Sequence, residues 1–118
     1  MNVHRGDVLI AFIPNADGSP AKVRPVLVVQ SDIYNVRISN LIVAAITTNL
    51  KNARDPASLL IDVNTPDGAA TGLRKNSVVS CINLATITST FVVKRIGQLS
   101  NALMLKADDC LKAALELK

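Results

Sequence analysis

The 118-residue chain has no tryptophan, one tyrosine and two phenylalanines. A protein that grips single strands by stacking bases on aromatic rings needs more of them, so that mode of binding is disfavoured. Histidine occurs once, at His4, and cysteine twice, at Cys81 and Cys110. There is no metal-ligand spacing, no histidine pair for acid–base work and no acidic cluster. The two cysteines sit in apolar surroundings and read as buried thiols rather than a disulfide or a zinc site. His4, alone and near the chain start, reads as an ordinary surface residue. No apolar run approaches the length that spans a bilayer, and the first residues show no secretory pattern. A cytoplasmic protein with no membrane association is expected. Acids are in the minority, 9 against 13 Lys plus Arg, for a net charge of +4. That excess favours an anionic partner without naming one. With so few aromatics, any contact with nucleic acid has to come from cations, amides and backbone.

What the chain does have is apolar residues, at 49% of its length. That suits one core and a single domain over residues 1–118. The organising stretch is Lys22 to Asp32, Lys-Val-Arg-Pro-Val-Leu-Val-Val-Gln-Ser-Asp. Its valine-rich run is bounded by turn residues and reads as a buried strand over Arg24 to Gln30. The proline holds Arg24 in an extended conformation at the strand's mouth. A guanidinium fixed there either pairs with an acid or waits for an anion.

Gly6 to Ile13 reads as the first strand, with Arg5-Gly6-Asp7 as the turn leading into it. Pro14 to Ala21 is a long loop of turn formers. After short-helix or turn material around Ser31 to Asn35, Asn40 to Thr47 is a third strand. If the second and third strands pair antiparallel with Gln30 beside Leu41, Arg24 falls opposite Thr47 on the same face. A slip of one residue puts Thr48 there instead. Ser58 to Val63 is a short edge strand, and Asn64 to Asn76 a long loop. Ser77 to Ile82 is another strand, continued after a bend by Asn83 to Ile87, and Val92 to Leu99 follows a turn. A helix runs from about Asn101 to Leu117. Ser100 is its N-cap, Leu99 and Met104 form a hydrophobic staple, and Leu103, Ala107, Cys110, Leu111, Ala114 and Leu117 form its apolar stripe. Seven or so short strands with one terminal helix predict a mainly β fold, a small partly open barrel with the helix docked on it.

A guanidinium and a hydroxyl on one face suit a phosphodiester. Arginine holds two nonbridging oxygens and stabilises the charge that builds in the transition state. RNA brings its own nucleophile, the 2′-hydroxyl, so the protein need supply neither nucleophile nor metal. On spacing alone, an arginine bonded to loop carbonyls beside a strand-end threonine is an equal reading.

The sequence resembles the MazF/PemK family of toxin endoribonucleases along essentially its whole length. The resemblance is carried by Arg5-Gly6-Asp7-Val8, by Arg24-Pro25-Val26-Leu27-Val28-Val29-Gln30-Ser31-Asp32 and Tyr34-Asn35, and by Val43-Ala44-Ala45-Ile46-Thr47-Thr48-Asn49. Ser77-Val78-Val79 and Arg95-Ile96-Gly97-Gln98-Leu99 continue it. It implies an SH3-like barrel of the CcdB/PemK type, a homodimer, and metal-independent cleavage of single-stranded RNA that leaves a 2′,3′-cyclic phosphate and a free 5′-hydroxyl. It also implies inhibition by a MazE-like antitoxin whose disordered tail covers the RNA groove, and no cofactor. Arg24 falls on the family's catalytic arginine and Thr47 on its catalytic threonine. Candidate substrate contacts are Ser19, Lys22, Asn49, Lys51, Arg74 and Asn83.

The chain departs from parts of the family pattern. The first loop has Asp17-Gly18-Ser19-Pro20 where some members carry a histidine. Ser80 and Ile82 stand where PemK-like members have Arg and Asp, and Ala85-Thr86-Ile87-Thr88 replaces a common Arg-Thr-Ile-Asp. The pattern is closest to the mycobacterial branch. A histidine–carboxylate mechanism is not available, and arginine is a poor general base, which leaves the base open. Two other readings share the barrel. A CcdB-like gyrase poison would call for a C-terminal Trp-Gly-Ile, whereas this chain ends Glu116-Leu117-Lys118. A catalytically inactive RNA- or protein-binding barrel would fit the missing late-strand carboxylate.

Overall fold

The computed structural model describes residues 2–15 and 17–118. Ala16, in the loop expected over Pro14 to Ala21, lies outside the described residues. Six strands, β1 (Asp7–Ile13), β2 (Lys22–Val28), β3 (Asn40–Thr47), β4 (Ser58–Ile61), β5 (Ser77–Thr88) and β6 (Val92–Gln98), form one sheet. Their order is β4-β5-β3-β2-β1-β6, and every neighbouring pair is antiparallel. The sheet does not close, so β4 and β6 are its edges. Helices α1 (Asp32–Asn35) and α2 (Pro66–Ala69) are single turns, and α3 (Asn101–Leu115) is the one long helix among the described residues. The mainly β, open architecture with a C-terminal helix agrees with the expectation.

Side chains alternate along a strand, so each strand serves both sheet faces. Val8, Leu27, Ala44, Ile46 and Val79 form one core cluster, which α3 covers through Ala107 and Cys110. Leu9, Val26, Val28 and Val43 form a second cluster with Val3, Leu41 and Ile87. Burial on both faces explains why β1 to β3 read as nearly unbroken apolar runs. Leu9 and Leu27 are wholly buried, and each stabilises the fold by roughly 2 kcal/mol.

The chain start is tied down by polar contacts. Arg5 donates from Nε to the Val29 carbonyl and from Nη2 to Asp108 on α3, at 2.9 and 2.7 Å. Buried Asp7 accepts from the His4 amide and from Arg95 Nε, at 2.8 and 3.0 Å. Arg5-Gly6-Asp7 is therefore structural, as its turn reading implied.

Several boundaries differ from expectation. Six strands replace seven or so, because residues 77–88 form one strand interrupted by a bulge. β2 begins at Lys22, where it pairs with Ile13, and ends at Val28. β4 stops at Ile61. The loop expected over Asn64 to Asn76 contains α2, whose Thr65 side chain accepts from the Gly68 amide and whose Pro66 opens the turn. The Ser100 side chain caps α3 by accepting from the Leu103 amide. The helix stops early because Glu116 turns left-handed, with φ 57°, and the Leu117 amide bonds back to the Lys112 carbonyl. Leu117 is consequently exposed and does not extend the buried stripe.

Candidate active-site cleft

β2 and β3 stay together over only three rungs, Val28 with Val43, Leu27 with Ala44 and Val26 with Ala45. Beyond Val26, β2 keeps to β1 as far as Lys22, and β3 keeps to β5 as far as Thr47. Pro25 has no amide hydrogen to extend the ladder, and the rungs end beside it. A cleft of about 390 Å3 occupies the opening. Arg24 lines one lip and Thr47 the other. The three rungs follow the register expected from the sequence; the strands part before that register reaches Arg24 and Thr47, which share the cleft lining instead of a rung.

Arg24 is exposed and takes part in no ion pair among the described residues; the ion pairs there are His4–Asp32, Arg5–Asp108 and Arg95–Asp7. Its charge is therefore available to a ligand. Thr47 Oγ1 accepts from the Asn49 amide at 3.1 Å, and Asn49 Oδ1 accepts from the Lys51 amide at 3.0 Å. These local bonds fix the end of β3 and leave the Thr47 hydroxyl hydrogen free to donate.

The far wall comes from the bulge in β5. Ala44 pairs with Leu84 and Ala45 with Ser80, so Cys81, Ile82 and Asn83 have no rung on β3. Such bulges re-aim side chains. Here Asn83 Nδ2 donates to Ser80 Oγ at 2.9 Å, and both residues line the cleft. Asn15, Asn52 and Ser58 add further polar lining. Among the described lining residues Arg24 alone carries a charge.

The structure thus brings Arg24, Thr47, Asn49 and Asn83 together. Lys22 shares Arg24's side of β2 but lies outside the lining, as do Lys51 and Ser19. The amide and hydroxyl of Ser19 bond to Asp17 at 2.9 and 2.6 Å and hold that carboxyl below its ordinary value. Arg74 lines a neighbouring cleft. His4 sits beside Asp32, outside this cleft. Asn15 and Asn52 were not among the expected contacts; their only signal in the sequence is a place in the loops flanking Arg24 and Thr47.

An open antiparallel sheet, a helix docked on one face and a cleft with one unpaired cation among its described lining residues define a small, mainly β domain of the partly open barrel type. Residues 4–115 match the family described as PemK-like, MazF-like toxin of type II toxin-antitoxin system. The chain belongs to that family. It is 35% identical over 119 residues to Endoribonuclease MazF6 of Mycobacterium tuberculosis, covering 99% of this chain and all of the relative. Among solved structures, Mycobacterium tuberculosis toxin MazF-mt6 superposes with a TM-score of 0.77 at 28% identity, covering 95% of this chain and 98% of that one. A mycobacterial endoribonuclease in complex with its cognate antitoxin shares the fold, with a TM-score of 0.80 at 20% identity, covering 98% and 97%.

Proposed function

We propose that this toxin is an endoribonuclease that cuts single-stranded RNA at short sequences. The 2′-hydroxyl of one nucleotide attacks the adjoining phosphorus. The O2′–P bond forms and the P–O5′ bond breaks, one proton is lost from O2′ and one is gained at O5′. The products are a 2′,3′-cyclic phosphate and a free 5′-hydroxyl. The observation that carries this reading is an unpaired guanidinium lining the same cleft as a free hydroxyl donor, with no other charge among the described lining residues. Arg24 would hold the nonbridging oxygens as negative charge grows on them, and Thr47 would donate to one of them. Fixed donors of this kind contribute about 3–4 kcal/mol each to transition-state stabilisation. Asn49 and Asn83 offer amide groups that suit the edges of the flanking bases. Names of relatives sharing the whole length support this reading over a gyrase poison.

The same cleft suits an antitoxin. The neighbouring fold solved with its cognate antitoxin supports a MazE-like partner, whose disordered tail would cover Arg24 and exclude RNA. An apolar groove of about 580 Å3, lined by Tyr34, Ile38, Ile42, Leu84, Leu111 and Leu115, supports a homodimer that buries this face. The reading places the protein in the cytoplasm, beside transcripts.

Incubating the purified protein with a long transcript in EDTA tests the proposal, with 5′ ends of the fragments sequenced. Discrete cuts at a shared short sequence are expected. Intact RNA, or cleavage that EDTA abolishes, contradicts it.

A further inference from the structure

A second cleft, of about 500 Å3, adjoins the first, and Pro25 lines both. It is reached past Thr48, the residue after Thr47, and carries Arg74, Lys75 and Lys94. All three side chains are exposed, and none takes part in an ion pair among the described residues. No acidic residue is among the described residues that line this cleft.

The three cations come from separate parts of the chain that the backbone holds together. Gly72 has φ +77°, and a Cβ there would lie 2.0 Å from the Ile96 carbonyl oxygen on β6. A Cβ on Gly97 would lie 2.4 Å from the Ala70 carbonyl oxygen. Only glycine permits so close an approach at both points. The Gln98 amide donates to the Ala70 carbonyl at 3.2 Å, and buried Thr71 bonds the Gly68 carbonyl and the Leu73 amide. The loop bearing Arg74 and Lys75 is therefore clamped onto β6, the strand that carries Lys94.

We propose that this second cleft is a phosphate track for the RNA strand beyond the cut site, an inference that rests on the endoribonuclease reading. The first cleft has one cation for the scissile phosphate, and its uncharged amides meet bases. The second has three cations, an apolar floor and no amide side chain. That composition binds a backbone without reading its sequence. The track lengthens the footprint past the recognition sequence, and tighter binding of longer strands follows.

The test is equilibrium binding of oligo-2′-deoxyuridylate, which lacks the attacking hydroxyl and so reports binding without turnover. In the native protein, once affinities are divided by the number of registers each strand offers, strands of about 20 nucleotides are expected to bind about tenfold more tightly than strands of about 6. The variant Arg74→Gln/Lys75→Gln/Lys94→Gln is expected to lose that gain and keep its affinity for the short strand. Its plot of log affinity against log salt for the long strand becomes shallower by about 2, at roughly 0.7 per phosphate contact. Arg74→Gln and Lys94→Gln alone should each lose part of the gain, with unchanged circular dichroism. The proposal is overturned if the native protein shows no gain with length, or if the triple variant weakens both strands equally. It is also overturned if the variant keeps the gain but loses binding to polyglutamate, which would make the surface a dock for acidic protein. A protein that cuts no RNA but binds long strands through these residues would defeat the endoribonuclease reading and leave the track standing.

Discussion

Arg24 and Thr47 line one cleft at the gap where β2 leaves β3, each held by a different neighbour strand. The separation follows from Pro25, whose missing amide hydrogen ends the shared ladder one residue further in, at Val26. Neither side chain is needed to hold the strands together, so both can be changed with little cost to the fold. Their substitutions therefore read out chemistry rather than stability.

Thr47→Val removes the hydroxyl donor and the acceptor for the Asn49 amide. Single-turnover cleavage is expected to slow by about ten- to a hundredfold, while stability changes by about 1 kcal/mol or less. Thr47→Ser keeps both functions and should recover most of the rate. Equal slowing in the serine and valine variants would show that the hydroxyl is not what matters.

Gly72→Ala tests the clamp between the cationic loop and β6. Its Cβ has no room beside the Ile96 carbonyl, and φ +77° disfavours any side chain. A loss of roughly 3 kcal/mol and a melting temperature lower by about 10 °C are expected. Gly18→Ala is the control. It also has positive φ, but nothing lies within 4 Å of the added carbon. Its cost should stay near 1 kcal/mol. Thermal melts of the two variants compare close approach with backbone strain directly.

Burial pushes the Cys81 thiol from its ordinary value of 9.0 up to about 11, with Cys110 adding to the effect. The unfolded thiol loses its proton near pH 9, whereas the folded one holds it until about pH 11. Folding is thus favoured by the bound proton below pH 9, and this contribution is lost as pH rises through that window. The loss reaches roughly 2–3 kcal/mol at its upper end. Urea melts of the native protein and Cys81→Val across pH 8 to about 11 should show a shallower alkaline decline in the variant. Parallel declines would contradict the assignment.

Local and strongly patterned features were legible in the sequence. β3 has the bounds that its apolar run predicted, Ser100 caps α3, and the three β2–β3 rungs follow the first of the two registers considered. The register itself was one of two that the sequence left open, because strands apolar on both faces do not distinguish a one-residue slip. The opening of the cleft was harder to foresee. Pro25 was visible, but its effect depends on β2 and β3 each having another partner to follow. The bulge at residues 81–83 is likewise a consequence of how β5 crosses β3 after serving β4. Arg74 and Lys94 lie far apart in the chain and meet only through the packing of Gly72 and Gly97. The α2 turn did have a local signal, Thr65 before Pro66, inside a stretch that otherwise reads as loop.

The most direct test of the account compares the native protein with Arg24→Ala on one transcript in EDTA, with fragment ends identified chemically. The native protein should yield 2′,3′-cyclic phosphate and 5′-hydroxyl ends. The variant should cut about a thousandfold more slowly at an unchanged melting temperature, since its side chain is exposed and unpaired. Undiminished cleavage by the variant would contradict the central claim, as would 5′-phosphate ends from the native protein.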